Sequence, residues 1–321
     1  MITTTAEKRT ALGAISALIA VTCFSINDAS IKFLSGDYAL HQIVLIRSLL
    51  AFIVLLAVIV PLERGFGAFR TKRMGMHLLR GFCVVFANMT FFLGLSVLPL
   101  ADAVAVFFIS PLIITAMSVI FLGEKAGPRR WLALVVGMIG VLIMLRPGTG
   151  SFQPALLLPV AAAFAYAALH VLTRKIGSTE SAATMSFYIQ LTFIAVSGII
   201  GLGLGHGQYS GQGGELFEFV LRPWSWPAIY DWPVLALLGV SSAMGGYFTS
   251  QAYRIAEASV IAPLEYLAMP AAVIFGVIVF GEWPDLVAWM GIVLIAGAGL
   301  FVAWREAQLE RKALATPRAR R

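Results

Sequence analysis

Long apolar runs are the feature that most restricts how this chain can fold. About ten stretches of mostly apolar residues follow one another, and roughly 20 such residues let a helix cross the ~30 Å hydrocarbon core of a bilayer. Hydrophobic residues make up 60% of the 321 residues and charged residues only 12%, a composition too apolar for one buried core. The sequence therefore predicts an all-α polytopic membrane protein. The predicted spans are 11–34, 43–61, 75–97, 101–122, 131–145, 154–173, 182–204, 232–252, 258–280 and 286–304.

The basic residues lie on one side of the predicted membrane. With the N-terminus placed inside, 19 of the 23 lysines and arginines fall in inside segments, whereas Arg146 and Arg222 fall outside and Lys32 and Arg47 lie within spans. This is the positive-inside bias of membrane proteins. We therefore expect a multi-pass protein of the cytoplasmic (inner) membrane of a bacterium, with both termini cytoplasmic. The net charge of +7 then reflects loop anchors, and no nucleic acid partner is expected.

The two halves of the chain carry the same marks at matching positions. Each half has a Pro 12 or 13 residues before a Gly-Glu pair and a Trp seven residues after it, at Pro111, Glu124 and Trp131 and at Pro270, Glu282 and Trp289. Two units of five spans insert in opposite directions, and such inverted repeats hold a substrate site near the midplane. The predicted domains are a first repeat over 8–147, a second over 154–306, and a basic cytoplasmic tail over 307–321. We expect the tail to be disordered or to lie on anionic lipid.

This pattern resembles the EamA-type branch of the drug/metabolite transporter superfamily, and the resemblance covers nearly the whole chain. It implies about ten transmembrane helices as two inverted five-helix repeats. It also implies a secondary active transporter that moves a small polar organic metabolite by alternating access. The polar segment Phe24 to Lys32 is similar to members that carry riboflavin or S-adenosylmethionine, and amino-acid-like solutes are a further class. The branch also contains exporters of amino acids, metallophores or drugs, so the direction of transport stays open.

Asp28 is the residue least expected inside an apolar run. Asn27 precedes it, and Lys32 follows it by four residues on the same helical face. Arg47 lies about one turn from the outer end of the second span, at a similar depth. A carboxylate in hydrocarbon is costly and normally faces a partner or a water-filled cavity. Two interpretations remain: a structural ion pair with Lys32 or Arg47, or a cluster that binds a charged substrate or a proton.

Glu265 is the second acidic candidate. It lies with Tyr266 between Pro263 and Pro270, and two prolines interrupt the helix and free backbone carbonyls. Irregular backbone at membrane depth usually lines a cavity. Glu265 is therefore expected to bind substrate or a coupling proton, with hydrogen bonding inside the bundle as the alternative. Tyr266 is expected either to stack on a flat ligand or to serve packing alone.

Further polar residues within the spans complete the candidates. His170 occupies the place in the second half that matches the acidic residue of the first span, and it is either a proton relay or an interfacial histidine. Asn88 and Gln190 either join neighbouring helices or give hydrogen bonds to the substrate. We expect Glu124 and Glu282 to be architectural, each capping the helix that follows it.

No motif in the sequence indicates catalysis. It has no Gly-x-Ser-x-Gly, no His-Glu-x-x-His and no nucleotide-binding Gly-x-x-x-x-Gly-Lys-Ser/Thr loop. We therefore expect no enzymatic activity, no cofactor and no metal site, and transport driven by a gradient or by exchange. The expected partners are a small-molecule solute, the lipid bilayer and protons as the coupling ion, with a homodimer left open. A membrane-embedded enzyme or a scaffold is the non-transporter alternative, which a flux measurement in proteoliposomes would separate.

Overall fold

The architecture comes from a computed structural model, which describes residues 2–59, 61, 71–123, 127–146, 153–176, 180, 182–212, 214–255 and 264–315. All the regular elements within these ranges are helical. The α-helices are α1 (Ile2–Leu34), α2 (Leu40–Val54), α3 (Met74–Leu95), α4 (Leu100–Phe107), α5 (Ser110–Leu122), α6 (Pro128–Leu145), α7 (Leu157–Ile176), α8 (Ala182–Leu204), α9 (Gly214–Leu221), α10 (Trp232–Ile255), α11 (Ala268–Phe280) and α12 (Leu286–Ala315). A π-helical segment, Leu55–Ile59, extends α2, and a 3-10 turn, Pro154–Leu156, precedes α7.

These helices account for all the predicted spans. By length and composition, six segments can cross a membrane: Ala11–Leu34, Leu40–Val58, Met74–Leu95, Leu100–Phe121, Pro154–Thr173 and Thr184–Leu204. Three shorter apolar helices, Trp131–Leu145, Ala268–Phe280 and Leu286–Phe301, and the 24-residue α10 match the other four. The prediction of an all-α polytopic membrane protein is confirmed. The division into two inverted repeats over 8–147 and 154–306 stays a prediction.

Two of the spans are broken in the middle of the bundle. The fourth span is divided by a turn at Phe108 between α4 and α5, and Pro111 is the second residue of α5. The ninth is divided by a turn at Tyr266 before α11, and Pro270 is the third residue of α11. A proline in the first turn of a helix has no backbone hydrogen bond to lose. The prolines thus permit the breaks, which place aromatic side chains at the non-helical turns. The predicted partner proline, Pro263, lies outside the described residues.

The core lies between the two halves of the chain. The most extensive contacts pair α1 with α10, α3 with α7, α6 with α12, and α2 with both α8 and α10. Glycines bring α6 and α12 close together, because a side chain at Gly140 would meet Ile295 and one at Gly291 would meet Met144. Small residues at such crossings are typical of helices that pack within a bilayer.

The bundle has two distinct ends. The connections after α1, α3, α6, α8 and α11 gather at one end, which we call the loop end. Both termini belong to the other end, which we call the terminal end. The predicted basic tail is helical as far as Ala315 because 305–315 consists mainly of good helix formers that prolong α12. Residues 316–321 lie outside the described residues.

Candidate functional site

A buried arginine, Arg47, joins the first three membrane-spanning segments through hydrogen bonds. Arg47 of α2 is 3% exposed, and its two terminal nitrogens donate to Asn27 Oδ1 of α1 at 3.1 Å and to Asn88 Oδ1 of α3 at 3.2 Å. The Asn27 side-chain amide then donates to the carbonyl of Leu238 in α10 at 3.4 Å. We call Asn27, Asp28, Arg47 and Asn88 the Arg47 cluster. It lies where both halves of the chain meet.

The Arg47 cluster contains polar groups whose hydrogen-bonding potential is not fully satisfied within the protein. The positive charge of Arg47 acts on the Asp28 carboxylate, but no hydrogen bond or ion pair within 4 Å joins these two described residues. Asp28 is half-buried, so part of its surface is not covered by other residues. The Nε of Arg47 is buried without a hydrogen-bond partner. Phe92 and Phe193 cover the guanidinium, with ring centroids 5.6 and 5.1 Å away. Such an arrangement suits a polar or charged ligand.

Lys32 lies apart from the cluster and closes the loop end. Its Nζ forms an ion pair with Glu282 at 2.8 Å and donates to the carbonyl of Leu98. The second oxygen of Glu282 accepts the backbone N–H of Leu100 at 3.0 Å. Lys32 is thus a partner of Glu282 rather than of Asp28.

Glu282 caps a different helix from the one expected. The prediction that it caps the helix after it is wrong, because its carboxylate binds the first residue of α4. The cap of α12 is Asp285, whose Oδ1 accepts the N–H of Ala288 at 2.7 Å. The reason is geometric: Gly281 ends α11 with φ of 67°, a conformation that favours glycine, and Glu282 precedes the first residue of α12 by four positions. Glu124 lies outside the described residues.

A second buried arginine lies nearer the terminal end. Arg80 of α3 is 3% exposed, and its Nε donates to Thr173 Oγ1 of α7 at 2.9 Å. The positive charge of Arg80 interacts electrostatically with His170. The His170 ring packs edge-on against the ring of Tyr166, with 4.4 Å between the ring centroids. The charge of Glu265 acts on Tyr166 as well. We call Arg80, Tyr166, His170, Thr173 and Glu265 the Arg80 cluster.

Aromatic rings connect the two clusters without interruption. Phe92, which covers Arg47, begins a series that we call the ring series. Its centroid distances are 5.4 Å from Phe92 to Phe91, 5.1 Å from Phe91 to Phe107, 5.2 Å from Phe107 to Tyr166 and 4.4 Å from Tyr166 to His170. A side branch runs from Phe107 to Phe108 at 6.4 Å and on to Tyr266 at 5.3 Å. Tyr166 and His170 are half-buried, so part of the surface of the ring series stays accessible.

Two other candidates carry buried polar atoms without hydrogen bonds. The Oε1 of Gln190 in α8 and the phenolic oxygen of Tyr266 have no partner. An unsatisfied buried polar atom costs about 1–3 kcal/mol, and most such atoms in native proteins find a protein group or an ordered water. Both atoms are therefore available to a ligand or to water in the interior.

The loop end is closed by several further contacts. Tyr38 Oη donates to Asp231 Oδ2 at 2.5 Å, and burial together with this bond raises the pKa of Tyr38. Trp224 Nε1 donates to His41 Nδ1 at 2.6 Å, so Trp224 of the long connection is held against α2 at 39% exposure, while Trp226 is 87% exposed. Arg146 forms an ion pair with Asp285. These contacts hold first-half and second-half elements together at this end.

The terminal end is joined through Glu180. This carboxylate accepts the Thr71 hydroxyl at 2.9 Å and lies 3.4 Å from His77 Nε2. The His77 ring also packs against Tyr188 at 4.6 Å. The contact connects the start of α3 with the start of α8.

Arg80 is the main residue that the sequence analysis missed. It is one of the 19 basic residues assigned to the inside segments, and it lies at the inner end of the predicted span 75–97. The available signal was its spacing: Arg80, Val84, Ala87 and Phe91 recur at helical intervals, and all four are buried. An anchor would instead have been placed on the exposed face.

Comparisons with known proteins agree on one family. The EamA-like transporter family matches residues 11–146. The chain is 30% identical to the S-adenosylmethionine uptake transporter of Rickettsia prowazekii over 289 residues, covering 90% of this chain and 91% of that protein. It is 28% identical to the riboflavin transporter of Vibrio cholerae over 305 residues, covering 94% and 95%. One solved structure superimposes with a TM-score of 0.63 at 19% identity, over 97% of this chain and 99% of that one, which shows the fold alone.

Proposed function

The chain belongs to the EamA-like transporter family, and we propose that it is a secondary carrier of a small polar metabolite built on a flat heteroaromatic ring. The family and the relatives' names are those of transporters. The relatives are named for S-adenosylmethionine and for riboflavin, and both compounds join a flat ring system to a hydroxylated carbon skeleton. A carrier for this chemical class needs an aromatic surface and hydrogen-bonding groups inside the bilayer.

The observation that supports this proposal most strongly is the Arg47 cluster beside the ring series. Charged groups inside a membrane are expensive, and they usually mark a substrate or ion pathway. Arg47 can still donate a hydrogen bond and Asp28 can still accept one, while Asn27 and Asn88 hold the guanidinium in place. We propose that Phe91, Phe107 and Tyr166 stack on the ring while the Arg47 cluster binds the polar part. Aromatic side chains bind flat rings through offset or edge-on contacts.

Two candidate residues of the second half, Glu265 and His170, lie close to the ring series. The charge of Glu265 acts on Tyr166 and on Tyr266, which are the two tyrosines next to the ring series. We propose that Glu265 takes up the coupling proton and that His170 relays it. Gln190 is proposed to give the substrate a hydrogen bond from α8.

The loop end carries several contacts between the two halves of the chain. Lys32 with Glu282 and Arg146 with Asp285 join elements from both halves of the chain there. We propose that the halves 8–147 and 154–306 rock against each other, opening one end as the other closes. At the terminal end Glu180 joins the halves through Thr71 and His77, so opening either end requires breaking contacts between the halves.

We further propose that the terminal end faces the cytoplasm of a bacterium and that the protein lies in the inner membrane. The distribution of lysine and arginine supports this orientation, and the named relatives are bacterial. The direction of net transport follows from the gradients and not from this geometry. A homodimer and contacts with specific lipids stay predictions.

Flux through purified protein tests the proposal. The protein is reconstituted in proteoliposomes, and uptake of labelled S-adenosylmethionine and labelled riboflavin is followed with and without a proton uncoupler. We expect saturable uptake of at least one compound, above that of protein-free liposomes, and a lower rate with the uncoupler. Uptake of neither compound above the protein-free rate would contradict the proposed substrate class.

A further inference from the structure

Arg80 carries a buried positive charge that the proposed site leaves unused. Thr173 holds its Nε at 2.9 Å, whereas its Nη1 is buried without a hydrogen-bond partner. No carboxylate within the described parts of the chain lies within 4 Å of it as an ion-pair partner. One nitrogen of the guanidinium is therefore hydrogen-bonded, and another is buried without a hydrogen-bond partner.

Three described acidic residues of the bundle, Glu180, Asp28 and Glu265, form no ion pair with Arg80. Glu180 accepts the Thr71 hydroxyl and contacts His77. Asp28 interacts electrostatically with Arg47. Glu265 interacts electrostatically with Tyr166 and Tyr266. A buried charge without a counter-charge is strongly destabilising. Its presence in a membrane-spanning segment is explained if an anion binds there during the transport cycle.

The position of Arg80 suits the far end of an extended ligand. Arg80 and Asn88, the partner of Arg47, are eight residues apart on α3, a rise of about 12 Å. The ring series connects the two places, and His170 at its end lies beside Arg80. A metabolite whose ring stacks on the ring series can therefore reach Arg47 with one polar end and Arg80 with the other.

We infer that the carried metabolite bears an acidic group, a carboxylate or a phosphate, which Arg80 binds. A guanidinium matches either group with parallel hydrogen bonds, and such charge-assisted bonds are the stronger ones in proteins. The inference rests on the proposed function and narrows its substrate class. S-adenosylmethionine bears a carboxylate, whereas riboflavin has no acidic group that is ionised at neutral pH.

A lipid headgroup is the other source of a phosphate. Arg80 is 3% exposed, so its guanidinium is turned away from the lipid. Phosphatidylcholine still carries a phosphodiester, so the two sources are separated by measuring binding to purified protein in a maltoside detergent, which contains no phosphate. Binding that depends on Arg80 in this detergent comes from the soluble compound.

The test compares paired compounds that differ in the acidic group. Uptake of labelled S-adenosylmethionine is competed with unlabelled S-adenosylmethionine or with its decarboxylated analogue, which keeps the adenosine, the sulfonium and the amine. Uptake of labelled riboflavin is competed with riboflavin or with flavin mononucleotide, which adds a phosphate. Each measurement is made on the wild type, on Arg80→Gln and on Arg80→Lys. The control is Arg129→Gln, which removes an exposed cation near the terminal end.

We expect the acidic member of at least one pair to compete about 10- to 100-fold more strongly in the wild type, the range of a charge-assisted hydrogen bond. Arg80→Gln should abolish that preference, Arg80→Lys should keep part of it, and Arg129→Gln should keep all of it. The wild-type comparison stands even if the Arg80 variants do not fold.

Two results would overturn the inference while the proposed function stands. One is equal competition within every pair whose labelled member is carried. The other is a wild-type preference that survives unchanged in a folded Arg80→Gln protein. Uptake of neither labelled compound would instead overturn the proposed function, and the inference would fall with it.

Discussion

Lys32 and Glu282 form an ion pair at 2.8 Å that joins the end of α1 to the turn between α11 and α12. The same glutamate accepts the N–H of Leu100 and so caps α4. One carboxylate thereby connects the first span, the fourth span and the last turn of the bundle. The loop end cannot open widely while these bonds persist, since they tie elements from both halves of the chain.

Glu282→Gln should loosen the loop end. The amide oxygen still accepts the N–H of Leu100, but the ion pair with Lys32 is lost. Because Glu282 is partly exposed at 28%, we expect an effect of about 1 kcal/mol. A cysteine placed at Ala103, which is buried one turn below Leu100, should then react roughly five-fold faster with an impermeant maleimide.

The exchanged pair Lys32→Glu with Glu282→Lys separates the two functions of Glu282. It restores opposite charges but leaves α4 without its cap, so protection of the cysteine at position 103 should return only in part. Equal labelling rates in the wild type and both variants would show that this contact does not hold the loop end closed.

The contact between Arg146 and Asp285 should stabilise the protein only above acidic pH. The hydrogen bond from Arg146 lowers the pKa of Asp285, and the N–H of Ala288 lowers it further. A lowered carboxyl pKa contributes stability above its ordinary value near 4, and this contribution is lost as the pH falls through the lowered value. Asp285 is 54% exposed, so the contribution is below about 1 kcal/mol.

Thermal unfolding in detergent checks this pH dependence. Asp285→Asn should unfold slightly earlier than the wild type at pH 7, and the difference should shrink steadily as the pH is lowered towards 3. A difference that stays constant over this range would mean that the charge of Asp285 does not cause it.

Tyr266 depends on a glycine in α12 for its position. A side chain at Gly299 would overlap the ring and hydroxyl of Tyr266, whereas one at Gly297 meets nothing within 4 Å. Gly299→Ala should therefore displace Tyr266 and lower the free energy of unfolding by about 1–3 kcal/mol, the usual effect of overpacking. Gly297→Ala is the matched control and should be neutral or slightly stabilising. Equal unfolding temperatures for the two variants would contradict this packing.

Asp28→Asn and Glu265→Gln should each reduce transport at least about tenfold, equivalent to about 1.4 kcal/mol, without preventing membrane insertion, because ionisable groups inside a span usually mark a substrate or proton pathway. Both substitutions keep the shape of the side chain and remove its charge. The control is Asp37→Asn, an exposed carboxylate at the loop end, which should transport normally. Uptake is measured per amount of inserted protein. If both buried variants carried substrate at the wild-type rate, the assignment of these two residues would be wrong.

Most of the fold could be predicted from the sequence because its strongest signals are local. Apolar length predicts the spans, and Pro270 marks the break in the ninth span, whereas the break at Phe108 in the fourth span was not predicted. The tail beyond 306 was harder, since its many charges concealed good helix formers that extend α12 as far as Ala315.

The site could be predicted only in part. Asn27, Arg47 and Asn88 meet because they lie at similar depth on neighbouring helices, which helix geometry anticipates. The partner of Lys32 could not be found in this way, since Glu282 is 250 residues away and no local pattern brings the two together. Arg80 was concealed by its position near a helix start, where basic residues usually serve as anchors.

Binding by the Arg47 cluster is tested most directly with Arg47→Lys. Lysine keeps the positive charge near Asp28 but cannot hold Asn27 and Asn88 together, because it lacks the planar fork. The measurement is equilibrium binding, to purified protein in detergent, of whichever labelled compound the wild type carries, with Arg129→Lys as the control. We predict at least about tenfold weaker binding for Arg47→Lys, as for the loss of one charge-assisted hydrogen bond, and unchanged binding for Arg129→Lys. Wild-type affinity in a folded Arg47→Lys protein would contradict the claim that this cluster holds the metabolite.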